Sequence, residues 1–319
     1  MRKILIVILL LSAVYVKVNA AESNAPDTVK VGIYFISLHD IDFRQKEYTA
    51  RFWLWFKYKN HAFDFAKNVE VPFAKSIEKS DNFNDTSDGE VFTLMKIKCV
   101  MKQAWKVHNY PFDKQKLEVH IENSQFDARS LVFIADTAGR HFDPLLTLNG
   151  WNISLVDITT SIRSYETTFG DETLNTPHSD YASFNTDIYI ERNAWGLFFK
   201  LFLCMYVSFA ISYICFFIHA DSIESRFGLC VGSLFAAVGN KYVIDSILPE
   251  SSSFTLVDSL HAFTYVSIFI TISLAVHSLL MAKKNEMDKA NKRDKKSARI
   301  LLITYLLLNL IYIIKALQE

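Results

Sequence analysis

One apolar segment of the chain carries a stripe of residues that is unusual for a surface facing lipid. Between residues 221 and 249 the stripe recurs at alternating steps of three and four, and its members are Ser225, Gly228, Gly232, Phe235, Gly239, Tyr242 and Ser246. This 3.5-residue period is typical of helices packed around a common axis. Because most members of this stripe, here called the seam, are glycine or serine, several copies would enclose a tube that narrows at Phe235 and Tyr242. The spacing of Gly228 and Gly232 also fits a GxxxG face at which two helices touch, and the segment alone leaves both interpretations open.

Charged residues stand at both ends of this segment. We expect Asp221 to cap the helix, with Glu224 three residues later completing a capping-box-like arrangement. The partial positive charge of a helix N-terminus also favours an ionised Glu224. Arg226 lies off the seam, so we expect it to point away from the common axis. Lys241 and Asp245 are four residues apart, so we expect them to pair with each other or with a neighbouring helix.

Composition limits the class of protein. The chain has 319 residues, of which 50% are hydrophobic, and its formal net charge is zero. Neither an overall positive field nor a basic-aromatic pattern points to nucleic acid as a partner. Of the four cysteines, only Cys99 lies outside the long apolar segments, so no disulfide framework is expected. The sequence has no metal-ligand spacing, glycine-rich phosphate loop or nucleophile elbow, so we expect no cofactor, no bound metal and no enzymatic activity.

The first twenty residues have the pattern of a secretory signal peptide. Arg2 and Lys3 supply the positive start, residues 4–11 the apolar core, and Val18-Asn19-Ala20 a small-residue cleavage site. The mature chain is then expected to begin near Ala21, outside the cytoplasm. An uncleaved membrane anchor is the alternative.

Residues 21–192 are expected to form an extracellular β domain. Apolar residues alternate with polar ones in several stretches, as in Val31, Ile33 and Phe35, and again in Leu117, Val119 and Ile121. A period of two between turn-rich stretches predicts an antiparallel β-sandwich or barrel. We expect the connecting loops at residues 80–89, 136–150 and 169–180.

Residues 193–319 are expected to form a four-helix transmembrane bundle. Four apolar segments approach the roughly 20 residues needed to cross a bilayer, namely 195–218, 227–248, 256–281 and 300–314. A short linker at 282–299 is strongly basic, with Lys283, Lys284, Lys289, Lys292, Arg293, Lys295 and Lys296. Excess lysine and arginine mark the cytoplasmic side. This orientation agrees with the one that the signal peptide gives, with the β domain outside the cytoplasm.

An exported β domain, four spans and a seamed second span together resemble the pentameric ligand-gated ion channels of the Cys-loop receptor superfamily, and especially their bacterial branch. The most specific local match is the loop Tyr110-Pro111-Phe112-Asp113-Lys114-Gln115 before an alternating strand. Arg192 looks like the pre-membrane arginine of the family, and Leu248-Pro249 looks like the end of its pore helix. The two loop cysteines of animal receptors are absent, with Gln103 and Leu117 at their positions, as in the bacterial members.

The resemblance implies roles for particular residues of the membrane domain. The seam would line the pore of a homopentamer, with Phe235 and Tyr242 as its gate. Glu224 would lie at the intracellular mouth, where cation-selective members carry an acid. The loop formed by Tyr110, Pro111, Phe112 and Asp113 would couple the β domain to the helices through Arg192, Leu248 and Pro249, and we expect an ion pair between Asp113 and Arg192.

The resemblance also places a ligand site between neighbouring β domains. Tyr165 and Tyr181 flank a loop containing Gly170 and Pro177, and Phe126 lies on a loop facing it. Aromatic side chains there suit a cation or amine through cation–π attraction, although a proton is also a possible signal. Ser124 replaces the tryptophan often found in the agonist box, so the agonist itself does not follow from the resemblance.

The expected protein is therefore a multi-pass channel of the cell membrane, the inner membrane in a Gram-negative host, that passes inorganic cations in response to a small extracellular ligand or proton. Purely structural interpretations of these residues stay open. Phe235 and Tyr242 also suit packing between helices, and Pro111 also suits an ordinary turn. The three candidate ligand-site aromatics also suit the core of the β domain. A non-conducting membrane sensor with an extracellular β domain is the alternative function. A secondary transporter is disfavoured, because the spans show neither inverted repeats nor a buried charge pair.

Overall fold

Two β-sheets packed over a shared core form the first part of the protein. The computed structural model describes residues 25–172, 174 and 176–318, so the predicted signal peptide lies outside the described residues. Within them one sheet has the order β4-β5-β2-β1-β7 and the other the order β3-β6-β9-β8. The strands are β1 Asp27–Asp42, β2 Glu47–Tyr58, β3 Val69–Glu70, β4 Ala74–Ser87, β5 Glu90–Lys102, β6 Lys114–Asn123, β7 Leu131–Ala135, β8 Trp151–Tyr165 and β9 Ser179–Arg192, and a short helix α1 spans Phe65–Asn68.

The apolar residues that alternate along the predicted strands are buried in the core of the sandwich. Val31 and Ile33 of β1 are fully buried, as are Val119 and Ile121 of β6 in the other sheet. The Tyr48 hydroxyl, from β2, donates a hydrogen bond to the Glu118 carbonyl oxygen of β6 at 2.9 Å, and so links the two sheets. The prediction of a β-sandwich before a four-helix bundle is confirmed.

The stretch 80–89 is strand rather than the predicted loop. β4 continues through it to Ser87 and pairs with β5, leaving a turn of only Asp88 and Gly89, both with positive φ. The residues of β4 are nearly all exposed. An edge strand that buries neither face needs no apolar alternation, and this is why its serines, asparagines and aspartates have the composition of a loop.

Four long helices follow the sandwich. They are α2 Ala194–Ile214, extended by a 3₁₀ turn Cys215–Phe217, then α3 Ile223–Asp245, α4 Leu256–Lys283 and α5 Met287–Gln318. Each is long and apolar enough to cross a membrane, so the chain is a multi-pass membrane protein. Helix α5 begins well before the predicted span, so residues 287–299 are helical rather than linker. Lysine, arginine and alanine are good helix formers, whereas the sequence prediction had counted only apolar residues.

The start of α3 differs from the prediction. Its N-cap is Ser222, and no side chain makes a capping hydrogen bond there. The expected capping box of Asp221 and Glu224 is therefore wrong. A complete capping box occurs instead at the start of α4, between Thr255 and Asp258. Glu224 is left exposed in the first turn of α3.

Candidate pore face, domain junction and ligand site

The seam of α3 is uncovered within its own chain. All seven seam residues are exposed, as is Glu224, and the side chains of Phe235 and Tyr242 are 73% and 77% exposed. A Cβ atom added at Gly228, Gly232 or Gly239 would meet nothing within 4 Å. These glycines therefore do not serve close helix packing inside one subunit.

The buried face of α3 lies opposite the seam. It consists of Arg226, Cys230, Ser233, Ala237 and Ile244, which recur with the same period as the seam. The helix thus carries two stripes. One is buried within the subunit, and the other, the seam, is exposed.

The open stripe differs from the face that α5 leaves uncovered. The exposed side chains in the span of α5 are large and apolar, including Ile300, Ile303, Leu307, Leu310 and Ile311. This exposed face of α5 is therefore suited to contact with the hydrocarbon of a bilayer. The seam consists mainly of glycines and serines, with the exposed Glu224 beside its first residue, and it does not suit hydrocarbon, where polar groups without partners are costly.

A buried ion pair sets the orientation of α3. The side chains of Arg226 and Asp294 are 1% and 3% exposed, and Arg226 Nη2 lies 2.9 Å from Asp294 Oδ2. Arg226 also donates to the Ile218 carbonyl oxygen, and Ser278 donates to Asp294. As predicted, Arg226 points away from the seam. Arg226 and Asp294 lie just outside the predicted spans 227–248 and 300–314, so the sequence analysis did not anticipate this buried pair near the starts of α3 and α5.

Further polar contacts hold α3 near its other end. Asn240 Nδ2 donates to the Leu201 carbonyl oxygen of α2 at 3.0 Å, and His261 of α4 lies 3.1 Å from Asn240 Oδ1. The predicted Lys241–Asp245 pair is present at 2.5 Å, and Lys241 also bridges to Asp258 of α4 at 2.9 Å. Both ends of the helix are therefore fixed by groups on its inward side.

The predicted ion pair at the domain junction is also present. Arg192 Nε and Nη2 donate to the two carboxylate oxygens of Asp113 at 2.6 and 3.1 Å. The side chains are 11% and 1% exposed. The guanidinium also lies 4.0 Å from the ring centre of Trp151 and 4.8 Å from that of Phe43. Sequence analysis missed these two aromatics, because they come from loops and strand ends far along the chain from Arg192.

The loop of residues 110–113 meets the helices. The Phe112 ring packs against Trp195 and Phe198 of α2, with ring centres 5.2 and 5.4 Å apart. The Leu256 backbone N–H, at the start of α4, donates to the His108 carbonyl oxygen at 2.8 Å. Tyr110 and Leu248 line one cavity of about 720 Å³ together with Arg192. Pro111 is buried, and Pro249 lines a neighbouring cavity beyond the end of α3. The predicted coupling residues thus lie together.

Two of the three predicted ligand-site aromatics come together. The rings of Tyr165 and Tyr181 are 5.8 Å apart, and Phe169 joins them at 5.5 and 6.1 Å. Phe126 packs instead on Phe63, with ring centres 4.8 Å apart. Its loop nevertheless adjoins the tyrosines, because the Ala128 N–H donates to the Asp180 carbonyl oxygen at 2.7 Å.

A buried carboxylate lies beneath this aromatic group. The Tyr165 hydroxyl donates to Glu122 Oε2 at 2.8 Å, and Arg163 Nη1 lies 3.4 Å from Glu122 Oε1. The side chain of Glu122 is only 3% exposed. Burial, reinforced by the bond to Glu122, raises the pKa of Tyr165 to about 12, so the donor proton of this bond stays in place. Glu122 was missed because alternation placed it on the outer face of β6, where side chains of β8 cover it.

No protein-family model matches the chain, and a search of curated proteins gives no match. The resemblance to pentameric channels therefore rests on the residues and the architecture. An N-terminal β-sandwich followed by four apolar helices is consistent with a subunit of that class.

Proposed function

We propose that this protein is a homopentameric, ligand-gated channel for inorganic cations, with α3 lining the pore. The observation that carries the proposal is the seam, which is open along the whole of α3 while contacts on its inward side fix the helix. A ring of copies would remove the seam from lipid and place it around a shared axis.

Charge at one mouth of this pore would select the ion. Five copies of Glu224 would form a ring of carboxylates, and such rings concentrate cations and exclude anions. Arg226 would not oppose this field, because its guanidinium is buried against Asp294 on the far side of the helix. The basic start of α5 supports a cytoplasmic location for this mouth, because excess lysine and arginine favour that side.

Aromatic rings would close the pore further along. Phe235 is the first large apolar residue on the seam after Glu224, and Tyr242 is the second. A ring of phenyl groups can stop ions by dewetting without filling the lumen. The glycines on either side of Phe235 leave the tube wide there, so the constriction would be short.

Opening would begin in the β domain. A small cation or amine would bind at the aromatic group of Tyr165, Phe169 and Tyr181, where ring faces attract positive charge. Its effect would reach α3 through the 110–113 loop and the Asp113–Arg192 pair. A proton acting on the same region would use the same junction.

Assembly is the first test of this proposal. We expect the purified chain to have five times the subunit mass in detergent, because one copy leaves its seam without partners. Native mass spectrometry measures this directly. A monomer or dimer that persists across several mild detergents would contradict the pore and would favour the GxxxG contact between two helices.

Ion selectivity is the second test. We expect Glu224→Gln to shift the reversal potential in asymmetric salt toward zero, since it removes the carboxylate ring. Because the agonist is not known, the measurement is best made in channels carrying Phe235→Ala, which we expect to conduct without agonist. Asp288→Asn is the matched control, because Asp288 is also an exposed acid at this end of the bundle but belongs to the first turn of α5 and not to the seam.

The outcomes of this recording separate the candidates. An unchanged potential in Glu224→Gln would move the selectivity filter elsewhere, and an anion-selective parent would overturn the assignment. A stable pentamer that passes no current in either background would favour the non-conducting sensor.

A further inference from the structure

We propose that the first turns of α5 bind the anionic headgroups of a phospholipid bilayer. The binding surface, here called the basic face, consists of Lys292, Lys295, Lys296 and Arg299, all exposed. The proposal depends on α5 crossing a membrane and not on conduction, so it stands or fails separately from the proposed channel.

The basic face continues directly into the apolar surface of the same helix. A single strip at steps of three and four runs along α5 through Lys292, Lys296, Arg299, Ile303, Leu307, Leu310 and Ile314, all of them exposed. Its first three members are cationic and the rest are large and apolar. The strip that would face hydrocarbon therefore changes to positive charge within one helical turn.

The depth of these cations matches the headgroup layer. Arg299 and Lys292 are seven residues apart, which is about 10 Å of helix. The polar region on each side of a bilayer is roughly 5–8 Å thick, and lysine side chains extend their charge along that direction. The basic face would thus lie beside lipid phosphates and not in bulk solvent.

The charge of the basic face is not neutralised by the protein. Lys292, Lys295 and Lys296 form no ion pair with any other residue that the structure describes. Of the two acids in residues 287–299, Asp294 is buried with Arg226, which leaves Asp288 in the first turn. An external anion is the partner that this arrangement lacks.

The opposite side of the same turns is held by the bundle. Asp294 bonds to Arg226 and Ser278, and Arg293 Nη1 lies 2.8 Å from His277 Nε2 of α4. The cations are therefore presented at fixed positions rather than on a loose linker. Clusters of lysine and arginine next to a membrane span recognise anionic lipids in this way.

The test is retention of lipid by the full chain purified in detergent with equal amounts of phosphatidylglycerol and phosphatidylcholine. The variant Lys292→Gln/Lys295→Gln/Lys296→Gln removes three charges. Each basic residue at an anionic surface contributes roughly fivefold to binding, so we expect the ratio of retained phosphatidylglycerol to phosphatidylcholine to fall about tenfold or more. Native mass spectrometry reports both the lipids and the oligomeric state.

Two matched variants keep the result interpretable. Arginine at the same three positions preserves the charge, so we expect it to retain phosphatidylglycerol like the wild type. Lys57→Gln/Lys59→Gln/Lys67→Gln removes equal charge from exposed positions of the β domain and should also leave the ratio unchanged.

Several outcomes would overturn the proposal. These are equal retention of the two lipids by the wild type, an unchanged ratio in the α5 glutamine variant, or an equal loss in the β-domain variant. Displacement of the lipid by inorganic phosphate, but not by chloride at the same ionic strength, would assign the surface to a free anion instead. If the glutamine variant does not assemble, the ratio of retained phosphatidylglycerol to phosphatidylcholine in the wild type and in the arginine variant decides whether the proposal stands.

Discussion

Replacing Phe235 with alanine is expected to produce a channel that leaks without agonist. In the proposed pore the phenyl rings would be the only large apolar groups at that level of the seam, because Gly232 and Gly239 on either side have no side chain that could narrow the tube. Removing the rings would widen and wet the proposed constriction, so ions would pass at rest. The measurement is basal current per channel at the membrane surface, and we expect an increase of about tenfold or more over the wild type, corresponding to a loss of at least about 1.4 kcal/mol from the barrier.

Two variants of the same helix locate the gate. Tyr242→Ala should have the smaller effect, because the tyrosine hydroxyl already tolerates water. Phe227→Ala is the matched control, since Phe227 is an exposed aromatic of α3 that lies off the seam, and it should stay silent at rest. If Tyr242→Ala leaks while Phe235→Ala does not, the gate lies two helical turns further out. If neither leaks, the seam packs rather than conducts.

Breaking the ion pair at the domain junction is expected to uncouple the two domains. Asp113→Asn and Arg192→Gln should each weaken activation while pentamers still form. Removing one partner of a buried pair costs about 3–5 kcal/mol when the other charge stays buried, and here the two side chains are 1% and 11% exposed. The measurement is the agonist or proton concentration for half-maximal current, together with thermal stability of the assembled protein.

Controls distinguish coupling from misfolding in these variants. The double variant should be less impaired than the sum of the single ones, because neither charge is then left alone. Glu78→Gln breaks the exposed Glu78–Lys98 pair of the same domain, which is worth at most about 1 kcal/mol, and should leave activation unchanged. Normal activation in both junction variants would remove the pair from the coupling route.

The sandwich and the seam could be predicted from the sequence because each produces a regular repeat of residue types over a short stretch of chain. β1 and β6 alternate because one face is buried, and α3 has its 3.5-residue stripe because one side is left open. Two local predictions failed for a related reason. β4 is an edge strand that buries neither face, and the start of α5 buries only small or charged residues such as Ala290 and Asp294, so neither shows an apolar period.

Contacts between distant parts of the chain were predicted only where the resemblance supplied them. Asp113 and Arg192 are 79 residues apart, and their pairing was expected from the family pattern. Arg226 and Asp294 are 68 residues apart with no such guide, and their pairing was missed. Glu122 was missed because alternation shows which way a side chain points but not what lies over it.

The distance in sequence between Arg226 and Asp294 has a consequence for how the protein is made. A ribosome adds about 5–20 residues per second, so the 68 residues between them take roughly 3–14 s to synthesise. During that interval Arg226 has reached the membrane without the carboxylate that will neutralise it. Because Arg226 lies in the first turn of α3, its long side chain can keep the charge near the membrane interface until α5 has emerged and supplies Asp294. A chain stopped before Asp294 would leave Arg226 of α3 without the carboxylate that it is buried against in the complete bundle.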